Sequence, residues 1–163
     1  MPTCSQAPKF VITRRLFITP LYPTHQFTNQ TIIVTGANKG LGLEAARHFY
    51  RLNCARLILA VHNPDKGQAA KADILLSVKR RACSKSDTTT IQVGPLDLRS
   101  TGSTIAFADR VKTELDRVDV LVENAAIHTA VFEPVDGGRA GGSGECVEYM
   151  PACAVAVAEA AEE

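Results

Sequence analysis

Apolar residues fall into four short runs separated by stretches with helical spacing, and this alternation organises the middle of the chain. Thr31-Ile32-Ile33-Val34-Thr35 and Arg56-Leu57-Ile58-Leu59-Ala60-Val61 are near-continuous runs of strand length. A third runs from Thr90 to Val93 and a fourth is Val118-Asp119-Val120-Leu121-Val122. Strands that read as unbroken apolar runs are buried on both faces, as in a parallel sheet covered by helices. The stretches between them supply those helices. Leu43 to Leu52 reads as the first. Asn63-Pro64 opens a second that reaches Ser77, with Pro64 tolerated in its first turn. Ser100 can cap a third that runs to Leu115, in spite of the helix-weakening Gly102.

Right-handed crossovers between parallel strands then predict an α/β fold: a Rossmann-like, doubly wound parallel sheet of about four strands. The domain limits follow from where the alternation stops. Residues 1–30 hold four of the eight prolines, Pro2, Pro8, Pro20 and Pro23, and no strong periodicity, so they read as an extended arm. Residues 31–136 carry the βα pattern, with a polar loop from Arg80 to Thr89. Residues 137–163 change composition abruptly. Gly137-Gly138-Arg139-Ala140-Gly141-Gly142-Ser143-Gly144 reads as a flexible linker, and Ala152 to Ala161 as a helix too short to be stable alone.

Composition narrows the classes without choosing among them. With 163 residues, 45% hydrophobic and 21% charged, the chain can bury one core. A net charge of +1 and the absence of a basic stripe argue against nucleic acid as a partner, and Lys79-Arg80-Arg81 reads as a solvated loop. The five cysteines form no CxxC pair and the four histidines do not cluster with them, so no zinc site is expected. Arg14-Arg15 interrupts the apolar residues near the N-terminus, which leaves neither a signal-peptide core nor a membrane span. The expectation is a cytoplasmic protein.

The chemistry concentrates in one turn, Thr35-Gly36-Ala37-Asn38-Lys39-Gly40-Leu41-Gly42, between the first strand and first helix. Gly36 lets the backbone leave the strand sharply, Gly40 lets main chain approach a pyrophosphate, and Gly42 allows close packing of helix on strand. The helix N-terminus offers N–H groups and a positive dipole end to phosphates.

The TGxxxGxG spacing of this turn resembles that of the short-chain dehydrogenase/reductase family, and two further motifs follow in the family's order. Asp97-Leu98 after the third strand resembles the family's pair beside the adenine. Glu123-Asn124-Ala125-Ala126 after the fourth is similar to its NNAG signature, departing at Glu123 and Ala126. The resemblance spans roughly 30–136, and the arm around Arg14-Arg15-Leu16-Phe17-Ile18 looks like one in fungal members. It implies a nicotinamide dinucleotide as partner, held by Gly36, Asn38, Lys39, Gly40, Leu41, Gly42, His62, Asp97, Leu98, Asn124, Ala125 and Ala126. NADP is expected ahead of NAD. The second strand ends in Ala60-Val61-His62-Asn63 with no carboxylate to meet a ribose 2′-hydroxyl. His62 takes the place where many NADP-dependent relatives carry Arg. Lys39 resembles the lysine that carbonyl reductases of the family direct at the 2′-phosphate.

The family's reaction is hydride transfer to or from a carbonyl or alcohol, with a Tyr phenol handling the proton beside a Lys four residues later. No such pair occurs in this sequence: four residues after Tyr22, Tyr50 and Tyr149 stand Gln26, Cys54 and Cys153. Ser143 and Tyr149 are the only downstream candidates for the family's Ser and Tyr, and Pro151 would disturb the helix that carries the Tyr. The sequence therefore reads as a truncated or misread member of the family, with no catalytic residue assigned. Three functions stay open: an NADP-dependent oxidoreductase, a non-catalytic nucleotide-binding remnant, and an interaction module or oligomer pairing through the exposed edge of the fourth strand.

Overall fold

The computed structural model describes residues 23–79 and 89–126. Most of the arm, the Arg80–Thr89 loop except Thr89, the glycine-rich linker, the alanine-rich segment and Tyr149 lie outside the described residues. Seven elements alternate in order: β1 (Thr31–Thr35), α1 (Gly40–Arg51), β2 (Arg56–Val61), α2 (Pro64–Ser77), β3 (Thr90–Pro95), α3 (Thr101–Glu114) and β4 (Val120–Val122). The strands form one parallel sheet in the order β3-β2-β1-β4. This is the expected Rossmann-like α/β architecture.

The unbroken apolar runs follow from burial on both faces. All five residues of β1 are buried, as are five of the six in β2. Their alternate side chains feed two cores. Ile32, Val34, Leu57, Leu59, Val61 and Ile91 pack with Ala46 and Tyr50 of α1 and with Ala70 and Ile74 of α2. On the opposite face Ile33, Ile58 and Ala60 pack with Phe107 and Val111 of α3 and with Leu115. Each large aliphatic side chain enclosed this way contributes roughly 1.5–3 kcal/mol. Two absent side chains bring the layers together. A Cβ at Gly67 of α2 would lie 2.5 Å from Val93 Cγ1, and one at Gly94 would lie 2.8 Å from the Phe107 ring. On the outer surface Arg47 of α1 binds Asp73 of α2 and Glu44 of its own helix. The Asp73 hydrogen bond, with both carboxylate charges, pushes the Arg47 guanidinium pKa further above its usual value.

Element limits differ from the expected ones by more than one residue in three places. The first helix begins at Gly40, not Leu43, because Gly40-Leu41-Gly42 join its first turn. The third strand continues through Gly94 and Pro95, which pair with Ala60 and Val61. The fourth is shorter than expected, starting at Val120. Its Asp119 closes the ladder with a side chain: Thr31 N–H donates to Asp119 Oδ2 at 2.7 Å, and Asp119 N–H donates to the Thr31 carbonyl at 3.0 Å. Among the described residues, β4 stands at one edge of the sheet.

Candidate cofactor site

The order β3-β2-β1-β4 reverses direction at β1, since the chain passes first to β2 and later returns to β4 on the other side. Open parallel sheets take ligands in the crevice beyond the carboxyl ends of the strands at such a switch point. Here the crevice holds about 560 Å³ and is lined by the ends of β1 and β2 and by the segments that follow all four strands.

Ten of the twelve residues singled out in the sequence meet there. Gly36, Asn38, Lys39 and Gly40 come from the turn after β1, and His62 from the tip of β2. Asp97 and Leu98 follow β3, and Asn124, Ala125 and Ala126 follow β4. Leu41 and Gly42 do not line it. The Leu41 side chain points to solvent, the residue being 82% exposed. Gly42 is buried behind the turn, where an added Cβ would sit 2.4 Å from Asn124 Nδ2 and 2.6 Å from the Gly36 carbonyl oxygen. The close approach that Gly42 permits is therefore to the loop after β4 and to the turn itself.

Four further lining residues were not among those twelve: Thr35, Ala60, Leu96 and Arg99. Thr35 organises the β4 side of the crevice. Its hydroxyl accepts N–H bonds from Asn124 at 2.9 Å and Ala125 at 3.0 Å and donates to the Val122 carbonyl at 3.3 Å. The Asn124 side-chain amide donates to the Thr35 carbonyl at 3.1 Å. Gly36 leaves β1 at a φ of +65°, and a Cβ there would be 3.0 Å from Ala125 Cα, so the turn and the loop abut. Arg99 reaches the crevice through a tight turn in which Asp97 Oδ1 accepts its N–H at 2.9 Å. An Asp two residues upstream is the signal that could have marked it.

The turn fits a dinucleotide phosphate on two observations. Among the described residues no side chain caps α1, whose cap position is Lys39 and whose first turn has no acidic residue. Its leading N–H groups thus remain available to an anion. At Gly40, which lines the crevice, an added Cβ would meet no protein atom within 4 Å, so bare main chain borders open space. Charge on the far wall is mixed. Although β2 ends without a carboxylate, Asp97 brings one to the same corner, with Oδ2 3.6 Å from His62 Nε2. Lys39, Arg99 and His62 are the basic residues of the lining.

An open, doubly wound parallel sheet with a glycine turn at its switch point defines a Rossmann-type α/β domain. Residues 30–137 match the family model described as short chain dehydrogenase. Among curated proteins, the chain is 42% identical over 130 residues to the short-chain dehydrogenase anuD of Penicillium roqueforti, covering 80% of this chain and 32% of that one. It is 45% identical over 113 residues to the short chain dehydrogenase/reductase dmxR8 of Cryptosporiopsis, covering 69% and 33%. Among solved structures it is similar to the menthone neomenthol reductase of Mentha piperita, with a TM-score of 0.51 at 28% identity over 66% of this chain and 35% of that one. The chain belongs to the short-chain dehydrogenase/reductase family of oxidoreductases. It spans about a third of the length of the curated relatives it matches. Among the described residues, no helix is long and apolar enough to cross a membrane.

Proposed function

We propose that the crevice binds NADP(H), and that the chain forms the dinucleotide half of an oxidoreductase acting on a carbonyl or alcohol. The observation that carries this reading is the N-terminus of α1, where Lys39 makes no side-chain cap bond, with bare backbone at Gly40 and with Lys39 itself among the crevice lining. The leading N–H groups of α1 would hold the pyrophosphate. Asp97 and Leu98 would border the adenine. Lys39, with Arg99 and His62, would receive the 2′-phosphate, a group that NAD lacks. Asn124, Ala125 and Ala126 would form the wall toward the reacting end, fixed by the Thr35 hydroxyl. Bound NADPH supplies a hydride; this chain's part is to hold and orient the dinucleotide.

Titration with NADPH and NADH, followed by addition of aldehydes and ketones, tests the reading. Binding of NADPH at least about tenfold tighter than NADH is expected, the equivalent of roughly 1.4 kcal/mol. Equal or reversed affinities would overturn the NADP assignment. Dinucleotide binding with no carbonyl reduction would favour a nucleotide-binding role without chemistry.

A further inference from the structure

The corner between β2 and β3 holds an imidazole beside a carboxylate. His62, with its side chain 79% exposed, stands at the tip of β2 with Nε2 3.6 Å from Asp97 Oδ2. Asp97 is fixed from two directions. Its N–H donates to Ser103 Oγ at 3.0 Å, and its Oδ1 accepts the Arg99 N–H at 2.9 Å. Oδ2 is thus the carboxylate oxygen that meets the imidazole. The same crevice carries Lys39 and Arg99, and the adjoining first turn of α2 adds Asp65 and Lys66. Carboxylate, ammonium and guanidinium groups ordinarily hold their charge through the neutral range, whereas an imidazole ordinarily gains or loses one between about pH 5 and 8.

We infer that His62 is a proton-operated selector between phosphorylated and unphosphorylated dinucleotides. As imidazolium it offsets the Asp97 carboxylate and attracts a 2′-phosphate. As neutral imidazole it leaves that carboxylate at the same corner, and the preference for the phosphorylated dinucleotide shrinks. This rests on the reading that the crevice takes NADP(H). The sign follows from linkage: a bound 2′-phosphate favours the protonated imidazole, so binding near neutral pH takes up a proton. The preference is fullest at low pH and declines as pH rises through the imidazole range. The phosphate's own second ionisation, near pH 6, acts the other way. The dianion binds better, which would release protons and make the preference grow with pH. The two origins therefore have opposite slopes.

Calorimetric titration of the full 163-residue chain with NADP⁺ and NAD⁺ separates them, run from about pH 5.5 to 8.5 in buffers of differing ionisation enthalpy. His62→Gln and His62→Arg are measured alongside; the exposed position tolerates both. Relative to the His62→Gln trend, the NADP⁺/NAD⁺ affinity ratio of the native chain should fall about fivefold across this range, the scale of one exposed charge pair. Proton uptake should accompany NADP⁺ and not NAD⁺, and should vanish in His62→Gln. His62→Arg should keep a high ratio at every pH. Superimposable pH trends and proton counts for the native chain and His62→Gln, with NADP⁺ still preferred, would overturn the selector and leave the NADP reading standing. Tighter NAD⁺ binding at every pH, or no binding of either, would overturn both.

Discussion

The three helices among the described residues begin in two different ways. Asn63 caps α2 by accepting the N–H groups of Asp65 at 2.9 Å and Lys66 at 3.2 Å. Ser100 caps α3 by accepting the Ser103 N–H at 3.4 Å. At α1 the cap position is Lys39, which has no acceptor to offer, and among the described residues no side chain takes its place. Among the described residues, side chains thus meet leading helix donors at two N-termini, and none does so at the third, that of α1. That one lies on the crevice at the switch point of the sheet. An unmet local need marks a binding surface more sharply than the surrounding fold does, because a cap side chain is readily supplied and its absence has a cost.

Replacing Lys39 with Asp breaks the comparison most directly, because it gives α1 the cap it lacks. The new carboxylate would accept an N–H of the first turn and sit at the positive end of the helix dipole. The urea midpoint should therefore rise, by up to about 1 kcal/mol in stability. NADPH affinity should drop roughly 50-fold, about 2.3 kcal/mol, as an attracting charge becomes a repelling one and the donors are occupied. Stability and binding moving in opposite directions is the diagnostic result. If both fall together, the turn is simply damaged and α1 is not held open for an anion.

Thr35→Val tests the opposite wall, where donors are satisfied internally. The valine keeps the buried volume but removes the acceptor shared by the Asn124 and Ala125 N–H groups. Leaving partly buried donors unmet should reduce stability by about 2 kcal/mol in urea unfolding. It should weaken NADPH and NADH alike, since the loop it loosens does not face the 2′-phosphate corner. A change in NADPH-to-NADH preference would contradict that placement.

Much of this arrangement was legible in the residues themselves. Strand positions follow from apolar runs, and the two side-chain caps from Asn63-Pro64 and Ser100, because these signals are local. The start of α1 was not legible. Glycine is a poor helix former, so Gly40 and Gly42 argue against a helix there. Gly42 nonetheless sits where a Cβ would collide with Asn124, which lies far along the chain. The shortened β4 escaped for a similar reason, since its first ladder bond passes through the Asp119 side chain. The His62–Asp97 pair depends on the β2–β3 register, which sets Val61 opposite Pro95. Reading β2 alone suggested a corner without a carboxylate; pairing the strands puts one there.

The capped helices supply the smaller effects, and their own difference sharpens the point. Asn63→Ala removes two acceptor contacts of good length and should reduce stability by about 1 kcal/mol. Ser100→Ala removes one longer contact and should cost about half as much, roughly 0.5 kcal/mol. The backbone carbonyl of Ser100 still accepts the Thr104 N–H at 3.1 Å, so α3 keeps its first intrahelical bond in that variant. The link from α3 to the crevice is a different residue, Ser103, whose hydroxyl holds the Asp97 N–H. NADPH affinity should therefore stay within about twofold in Ser100→Ala, a change below roughly 0.4 kcal/mol. Titration of Ser103→Ala beside it should show the larger loss of binding. If Ser100→Ala weakens binding as much as Ser103→Ala, cap and crevice are coupled through the whole first turn of α3. The separation between helices closed by their own side chains and the one left open would then be a matter of degree.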